Sequence, residues 1–447
     1  MIMKKNYPIF SVTFFIVLIA FFFTLNVGTS YSQDKPTLSS GVAKVNITPK
    51  EKIPIGWHSG ENKPNDGIHD EVFSRAIVFS NGVSKAAIIS VDISGISNSA
   101  WEELTNRIEK ETGIPQKYIM LCATHTHSGP AHNLAGYGKN TSPEVASYTV
   151  LLKDNIVKSV KDALSNLKPA NIGAGKGECK MNINRRAPMA VGGLWLGKNP
   201  DGSCDHEVAV LKINDEKGNT EGLFINWPCH GTVMGPTSGG NLLTGDWLGA
   251  TALFVEKEFA NGIVVPVTAG ASGDIDPIIG PHGTEYNDKR IHSDIFGILV
   301  GKEAIRVANE IGTTSINHIN AAQRTVTLPG KKSYREMPEL SFDDLQKIKP
   351  GSFTPSKDVL LRLSAIKVGN IIFAGISGEM FHEIGMNLKK QSPYTQTFIL
   401  THCNGSCGYI PTDKAYYEMS YEVAASVIMS GGEQAIMKNL IEMVNEL

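Results

Sequence analysis

AAIISVDISGISNSAWEELTNRIEKETGIPQKYIMLCATHTH, from Ala86 to His127, sets two apolar runs around one amphipathic segment. The first run is too short for a core helix and predicts a strand that stops at Asp92. From Asn98 to Gly113 a capping residue, a charged face and a terminal glycine predict a helix. The second run, Tyr118 to Ala123, predicts another strand, which delivers His125 and His127 at its end. Strand, helix, strand is the unit from which layered α/β folds are built.

The same alternation continues outward. Ser142, Pro143 and Glu144 open a long amphipathic helix. EVAVLKI and TEGLFINW predict a strand pair around Lys217-Gly218, and DWLGATALFVEKEFA predicts a helix. IVVPVTAG follows as a buried strand, and IHSDIFGILVGKEAIRVANEI as a helix. VLLRLSAIKVGNIIFAGIS predicts two strands joined at Gly369-Asn370, with a helix after Glu379 and a last helix from about Val423. The fold class expected is α/β, a mixed-sheet layered domain whose loops at strand ends carry the chemistry. No Pro- or Gly-rich linker divides residues 33–447, so one domain is expected there.

The chain has 447 residues and a formal net charge of -2, which offers no basic footprint for nucleic acid. Residues 1–32 read as an export signal: Lys4 and Lys5 precede a long apolar run, and Ser30 and Ser32 supply small residues before a cleavage point. The protein is then periplasmic or secreted. An uncleaved signal anchor is the competing reading, because the run approaches spanning length. Six cysteines permit disulfides in an exported protein; Cys403 with Cys407, and Cys179 with Cys204, are the plausible pairs. Cys122 and Cys229, in apolar stretches, read as buried small hydrophobes.

Several segments place reactive side chains at strand ends. On an extended strand His125 and His127 share a face and address one small volume, as a metal site requires. A polar turn that contains imidazoles explains them equally well. His230 in FINWPCHGTVMG ends another apolar strand, and Glu379 in FAGISGEMFHEIG stands where a strand meets a helix. Asp274 and Asp276 fall in the turn ASGDIDP, Arg185 and Arg186 in NINRRAP, and Asp246 at a helix start as an N-cap. Tyr409, Tyr416, Tyr417 and Tyr421 cluster near the end of the chain, where packing with hydroxyls at the surface accounts for them.

Together these pieces resemble the neutral (non-lysosomal) ceramidase family, specifically its N-terminal zinc-amidohydrolase domain. GVAKVNITP, GIHDEVFSRAIVF, IISVDISG, THTHSGP, NINR, NWPCHGTV, GDIDP, SGEMF and YIPTDKAYYEMSYE occur in family order, from Gly41 to about Glu422. The resemblance implies Zn2+ held by His125, His230, Glu379 and Tyr409. It implies His127 facing the substrate, with Arg185 and Tyr421 lining the site. Two departures stand out: Asp276 replaces the family's serine in GDVSP, and the chain stops at Leu447, without the family's C-terminal β-sandwich.

The chemistry so implied is hydrolysis of an N-acyl amide, ceramide-like lipid being the leading substrate, with peripheral membrane contact. His127 is expected to shuttle the proton, and Tyr421 or Arg185 to meet the oxyanion. Asp276, as a carboxylate, is expected to meet a polar or cationic head or to act as base. A same-fold zinc hydrolase for another amide or ester is one alternative. A zinc-bearing surface protein that binds lipid or glycan without turnover is the other.

Overall fold

The computed structural model describes Met3 and residues 37–447, apart from 57–62, 137–141, 191, 236–240, 260, 281–288, 338–343 and 345–351. The chain divides into Met1–Pro36 and Thr37–Leu447, and the second unit carries the elements named below. The export segment, 1–32, lies outside the described residues except for Met3. Among the described residues no helix is long and apolar enough to cross a membrane.

In chain order the elements begin β1 (Ser39–Asn46), β2 (Gly67–Ile68), β3 (Phe73–Ser80), β4 (Lys85–Val91), α1 (Asn98–Thr112), β5 (Ile119–Ala123) and α2 (Pro143–Ser165). Next come β6 (Lys168–Glu178), β7 (Asn182–Pro188), β8 (Leu194–Asn199), β9 (Glu207–Asp215), β10 (Thr220–Trp227), β11 (Leu242–Leu243), α3 (Asp246–Phe259) and β12 (Val267–Ala269). Then follow β13 (Ile275–Pro277), α4 (Lys289–Glu310), β14 (Ile319–Lys331), β15 (Pro355–Val368), β16 (Ile371–Ile376), β17 (Glu379–Met380) and α5 (His382–Gln391). The last are β18 (Gln396–Leu400), β19 (Tyr409–Ile410), α6 (Ala415–Glu418), α7 (Tyr421–Ala425) and α8 (Gly432–Glu446).

The opening unit forms as its sequence dictates. The Ser97 side chain accepts from the Ala100 amide to start α1, and Gly113 at φ 71° ends it. Both are the caps that free helix termini require. The strands on either side, β4 and β5, pair in parallel. They belong to an eight-stranded mixed sheet ordered β12-β10-β9-β6-β1-β3-β4-β5, and β14-β15-β16-β18 form a second sheet.

Core composition explains why these strands read as unbroken apolar runs. Ala87, Ile89, Leu121 and Ala123 pack toward α1 and α2, whereas Ile88, Met120 and Cys122 meet residues of the second sheet. Both faces of the strand are therefore covered, which removes any need for polar alternation. The Phe224 ring of the first sheet lies 5.6 Å from Phe373 and 5.3 Å from Phe398 of the second. These are edge-to-face aromatic contacts across the layer. Helices α3 and α4 cover the β9–β10–β12 end, and α5 and α8 the outer face of the second sheet. The result is four layers, helix–sheet–sheet–helix, the mixed α/β architecture expected.

Three expectations need correction. The last helix starts at Gly432 rather than Val423, because Ile428 bridges to Gly330 and Gly431 takes φ 109°. The IVVPVT strand is regular only from Val267, since Pro266 has no amide to donate to a ladder. All six cysteines are free thiols, so neither Cys403–Cys407 nor Cys179–Cys204 is bridged.

Candidate metal centre and active site

Five strands, β5, β10, β12, β16 and β18, release loops from their carboxyl ends into one volume. Ligand sites of open α/β sheets form there. His125 follows β5, His230 follows β10, Ser272 and Gly273 follow β12, Glu379 follows β16 and His402 follows β18.

His125 does not sit on an extended strand. It takes φ 61° just after β5 has ended at Ala123. That is left-handed backbone, so strand alternation is not what brings the two histidines together. A parallel bridge from Thr126 to Gly231 ties this loop to the segment after His230. His125 and His127 then meet at a ring separation of 4.9 Å, with their Nε2 atoms 3.3 Å apart.

Backbone carbonyls select the tautomers. The Nδ1–H of His125 donates to the Ser94 carbonyl, and that of His230 to the Ser272 carbonyl, both at 2.6 Å. Each ring then carries its lone pair on Nε2, the nitrogen left without a proton. Both lone pairs turn toward Glu379, whose Oε2 lies 3.6 Å from His125 Nε2 and 3.3 Å from His230 Nε2. The Nε2 of His230 and the Oε2 of Glu379 are buried without a hydrogen-bond donor. Lone pair faces lone pair, which is the arrangement a cation resolves. Bonds of about 2.1 Å to a tetrahedral zinc would set ligands about 3.4 Å apart, close to the separations seen.

Protonation fits the same reading. Burial pushes His125 down to about 4 and pushes His127 well below its usual value. Burial would raise Glu379, but His125, the His230 contact and His402 outweigh it and hold the carboxyl well below its usual range. Neutral imidazoles beside an ionised carboxylate are what metal binding demands.

Tyr409 pairs directly with Glu379 across the short parallel β17–β19 bridge. Its hydroxyl accepts from Arg185 Nη2 at 3.1 Å, while burial and Glu379 keep its pKa well above the usual value. Tyr421 stands 5.8 Å from Tyr409, ring to ring, and its hydroxyl accepts from Arg335 at 3.3 Å. Of the remaining tyrosines, Tyr416 packs and donates to the Ile428 carbonyl, and Tyr417 is exposed.

Arg185 is the buried hub on the other side. Its guanidinium donates to Glu422 at 2.7 Å, to the Gly273 carbonyl at 2.7 Å and to Asp276 at 3.3 Å. Asp276 also accepts from Thr232 at 3.5 Å and lies 3.7 Å from the Lys198 ammonium. Two cations already meet this carboxylate. In this position Asp276 buttresses Arg185. Arg186 pairs with Glu418 at 3.0 Å.

Asp246 begins α3 and accepts from the Trp247 amide at 2.7 Å, but also from Met234 at 2.8 Å, so it clamps the loop after His230 as well as the helix start. Asp274 receives both the backbone amide and the Nδ1–H of His382, at 2.9 and 2.8 Å. This locks the 272–276 loop to α5. The approach is tight: a side chain at Gly273 would collide with the Glu379 carbonyl.

The Asp274–His382 pair has a pH signature. Burial lowers His382, but the Asp274 carboxylate outweighs it and raises the imidazole above 6.5. Asp274 is depressed below 3.8 because His382 outweighs its burial. The His382 contribution is full below 6.5 and fades as pH rises through its raised folded value. That of Asp274 is present above 3.8 and fades as pH falls through its lowered one. Both follow from the linkage of proton binding to folding. Urea unfolding of wild type and Asp274→Asn should therefore differ most between pH 3.8 and 6.5. A difference that does not change with pH would dismiss the ion pair.

Sequence reasoning leaves out His402, Arg335 and Lys198. His402 stacks on His125 at 3.8 Å, and its Nε2 is buried without a donor. With His125 and Glu379 it forms one of two triads among the described residues whose ligand atoms fall within 4.8 Å; the other is His125, His127 and His230. A signal is present: FILTH repeats the pattern of an apolar run ending in histidine seen in LCATH and NWPCH.

Fold and site together define an α/β protein with a buried histidine–glutamate cluster able to hold a divalent cation. The family model for neutral/alkaline non-lysosomal ceramidase, N-terminal, matches residues 39–293, and the chain belongs to that family. It is 27% identical over 278 residues to the neutral ceramidase of Pseudomonas aeruginosa, covering 56% of this chain and 39% of that relative. Against neutral ceramidase B of Dictyostelium discoideum it is 31% identical over 220 residues, 46% and 29% of the two chains. The matches thus span well under half the length of these relatives. The crystal structure of the Pseudomonas aeruginosa neutral ceramidase superposes with a TM-score of 0.74 at 18% identity, covering 92% of this chain and 74% of that one.

Proposed function

We propose that the chain hydrolyses a linear N-acyl amide with zinc held by His125, His230, Glu379 and Tyr409. Ceramide is the leading substrate, giving a sphingoid base and a fatty acid, because the relatives carry the name neutral ceramidase. The observation behind the metal is the buried acceptor pair His230 Nε2 and Glu379 Oε2, 3.3 Å apart with no donor. Such a pair costs free energy unless a cation joins it. Nitrogen and oxygen donors at this spacing suit zinc.

Bound zinc supplies a Lewis acid for the carbonyl oxygen and lowers the pKa of a water to about 7. The protein does the rest. His127, half-buried and kept neutral by burial and by His125, takes the proton of the attacking water and returns it to the leaving nitrogen. An amide nitrogen must be protonated to depart, so this return is essential. Tyr421 accepts from Arg335 and keeps its own O–H to donate to the charge that develops on the carbonyl oxygen. Arg185, held by Glu422 and Asp276, fixes the Tyr409 hydroxyl.

Residues 1–32 act in this reading as an export signal, which places the enzyme in the periplasm or outside the cell, at the surface of a lipid substrate. Protein purified without chelator should hold about one zinc per chain. Dialysis against a chelator should lower hydrolysis of an N-acyl amide panel that includes ceramide by at least about ten-fold, and zinc should restore it. Wild type without zinc, or His125→Ala with full zinc and full activity, would sink the proposal.

A further inference from the structure

We propose that this site prefers N-acyl amides that carry an anion, a carboxylate or sulfonate, near the scissile bond, and that Arg335 and Lys357 bind it. The inference rests on the amidohydrolase reading and departs from it on the substrate, placing an anionic amide ahead of ceramide. A cavity of about 450 Å³ is lined by Glu379 and Tyr409 of the candidate metal centre and also by Arg335, Lys357, Asp358 and Val359. The cavity therefore joins the metal ligands to a charged region.

Three other cations around the site meet carboxylates: Arg185 meets Glu422 and Asp276, Arg186 meets Glu418, and Lys198 meets Asp276, while the buried Lys331 ammonium is taken up by the Val423 and Ser426 carbonyls. Arg335 and Lys357 differ. Among the described residues the guanidinium of Arg335 donates only to phenol oxygens, Tyr421 at 3.3 Å and Tyr334 at 3.4 Å. A phenol is uncharged near neutral pH, so neither hydroxyl cancels the guanidinium charge. Among the described residues neither Arg335 nor Lys357 forms an ion pair. Asp358 offsets one charge, and one net positive charge remains on the three side chains.

A planar guanidinium held flat by two tyrosines presents a fork that matches a carboxylate or sulfonate, and an ammonium nearby adds a point charge. A neutral diol head could accept from either cation but brings no opposite charge and no bidentate match to the fork. Val359 supplies apolar surface for the carbon chain between the anion and the amide. In the reaction water adds to the carbonyl carbon and the C–N bond breaks. The acyl group leaves as a carboxylate and the nitrogen as a protonated amine, and the anion stays on whichever product bore it.

The test uses the zinc-loaded full chain and matched amides. N-lauroylglycine and N-lauroyltaurine place the anion on the amine side, and the mono-hexylamide of adipic acid places it on the acyl side. N-lauroylethanolamine and C12 ceramide are the neutral controls. At low ionic strength, kcat/KM for at least one anionic class should exceed the neutral controls by about ten-fold or more. Lys357→Glu and Arg335→Gln should each cut that ratio at least about five-fold, and high salt should narrow it. Equal or greater turnover of the neutral amides by wild type, or a ratio unmoved in both variants, overturns the proposal. If no amide is hydrolysed, the amidohydrolase reading fails. Calorimetric titration with N-lauroyltaurine then judges the anion site alone: weaker binding to Lys357→Glu supports it, and equal binding overturns it.

Discussion

Glu379→Gln is expected to lose the bound metal and to lower amide hydrolysis by about 10³-fold or more, yet to fold as well as wild type without metal. In the wild-type site the carboxylate oxygen faces the His230 Nε2 across 3.3 Å with no proton between. The amide of glutamine turns one of those positions into an N–H donor, which satisfies the imidazole without a cation. Wild type should gain thermal stability as zinc is added, since a ligand that binds only the folded state stabilises it by mass action. Glu379→Gln should show a melting temperature that zinc does not move. Metal analysis with thermal scans at graded zinc concentrations reads both effects. A variant that retains zinc and its stabilisation would remove Glu379 from the ligand set.

What is legible in the sequence follows from where the signal is local. Strand β4, helix α1 and strand β5 are readable because apolar content, capping and a terminal glycine are properties of neighbouring residues. His125, His230 and Glu379 are readable for a related reason: each ends an apolar run, and runs that end in reactive side chains converge when their strands lie in parallel. The tautomers are not readable, because Ser94 and Ser272 supply them from distant loops. The partners of Asp276 are hidden for the same cause. Its neutralisation by Arg185 and Lys198 depends on pairing between β7 and β13 and on β8, none of which its own neighbours reveal.

Arg335 is hidden differently. It lies in a polar stretch after β14 with no apolar run before it, and its relation to the site passes through Tyr421, 86 positions away. His402 obeys the same local rule as the three assigned residues. The resemblance assigns its fourth ligand to the tyrosine motif that follows, so a reading of the sequence passes over this histidine although it lies in the cluster.

Arg185→Met should destabilise the fold by about 3–5 kcal/mol, the range for removal of one partner from a buried ion pair. The guanidinium is buried and bonds two carboxylates, a carbonyl and a phenol. Methionine fills much of the volume but takes from Glu422 the cation at 2.7 Å and from Asp276 the cation at 3.3 Å, with the Lys198 ammonium farther off at 3.7 Å. Arg185→Lys tests geometry against charge. An ammonium restores one positive charge but cannot reach four acceptors laid out around a planar fork, so it should recover only part of the loss. Adding Glu422→Gln to Arg185→Met should recover another part, because it removes the orphaned charge. With Glu422→Gln alone to close the cycle, the non-additivity of the pair measures their coupling. Urea denaturation of these variants at constant pH gives the differences directly. Should Arg185→Met stay within about 1 kcal/mol of wild type, the network is not what holds the 272–276 loop. If the loss appears and Tyr409 loses its place with it, metal affinity should fall in step with stability. One arginine would then serve both the fold and the site.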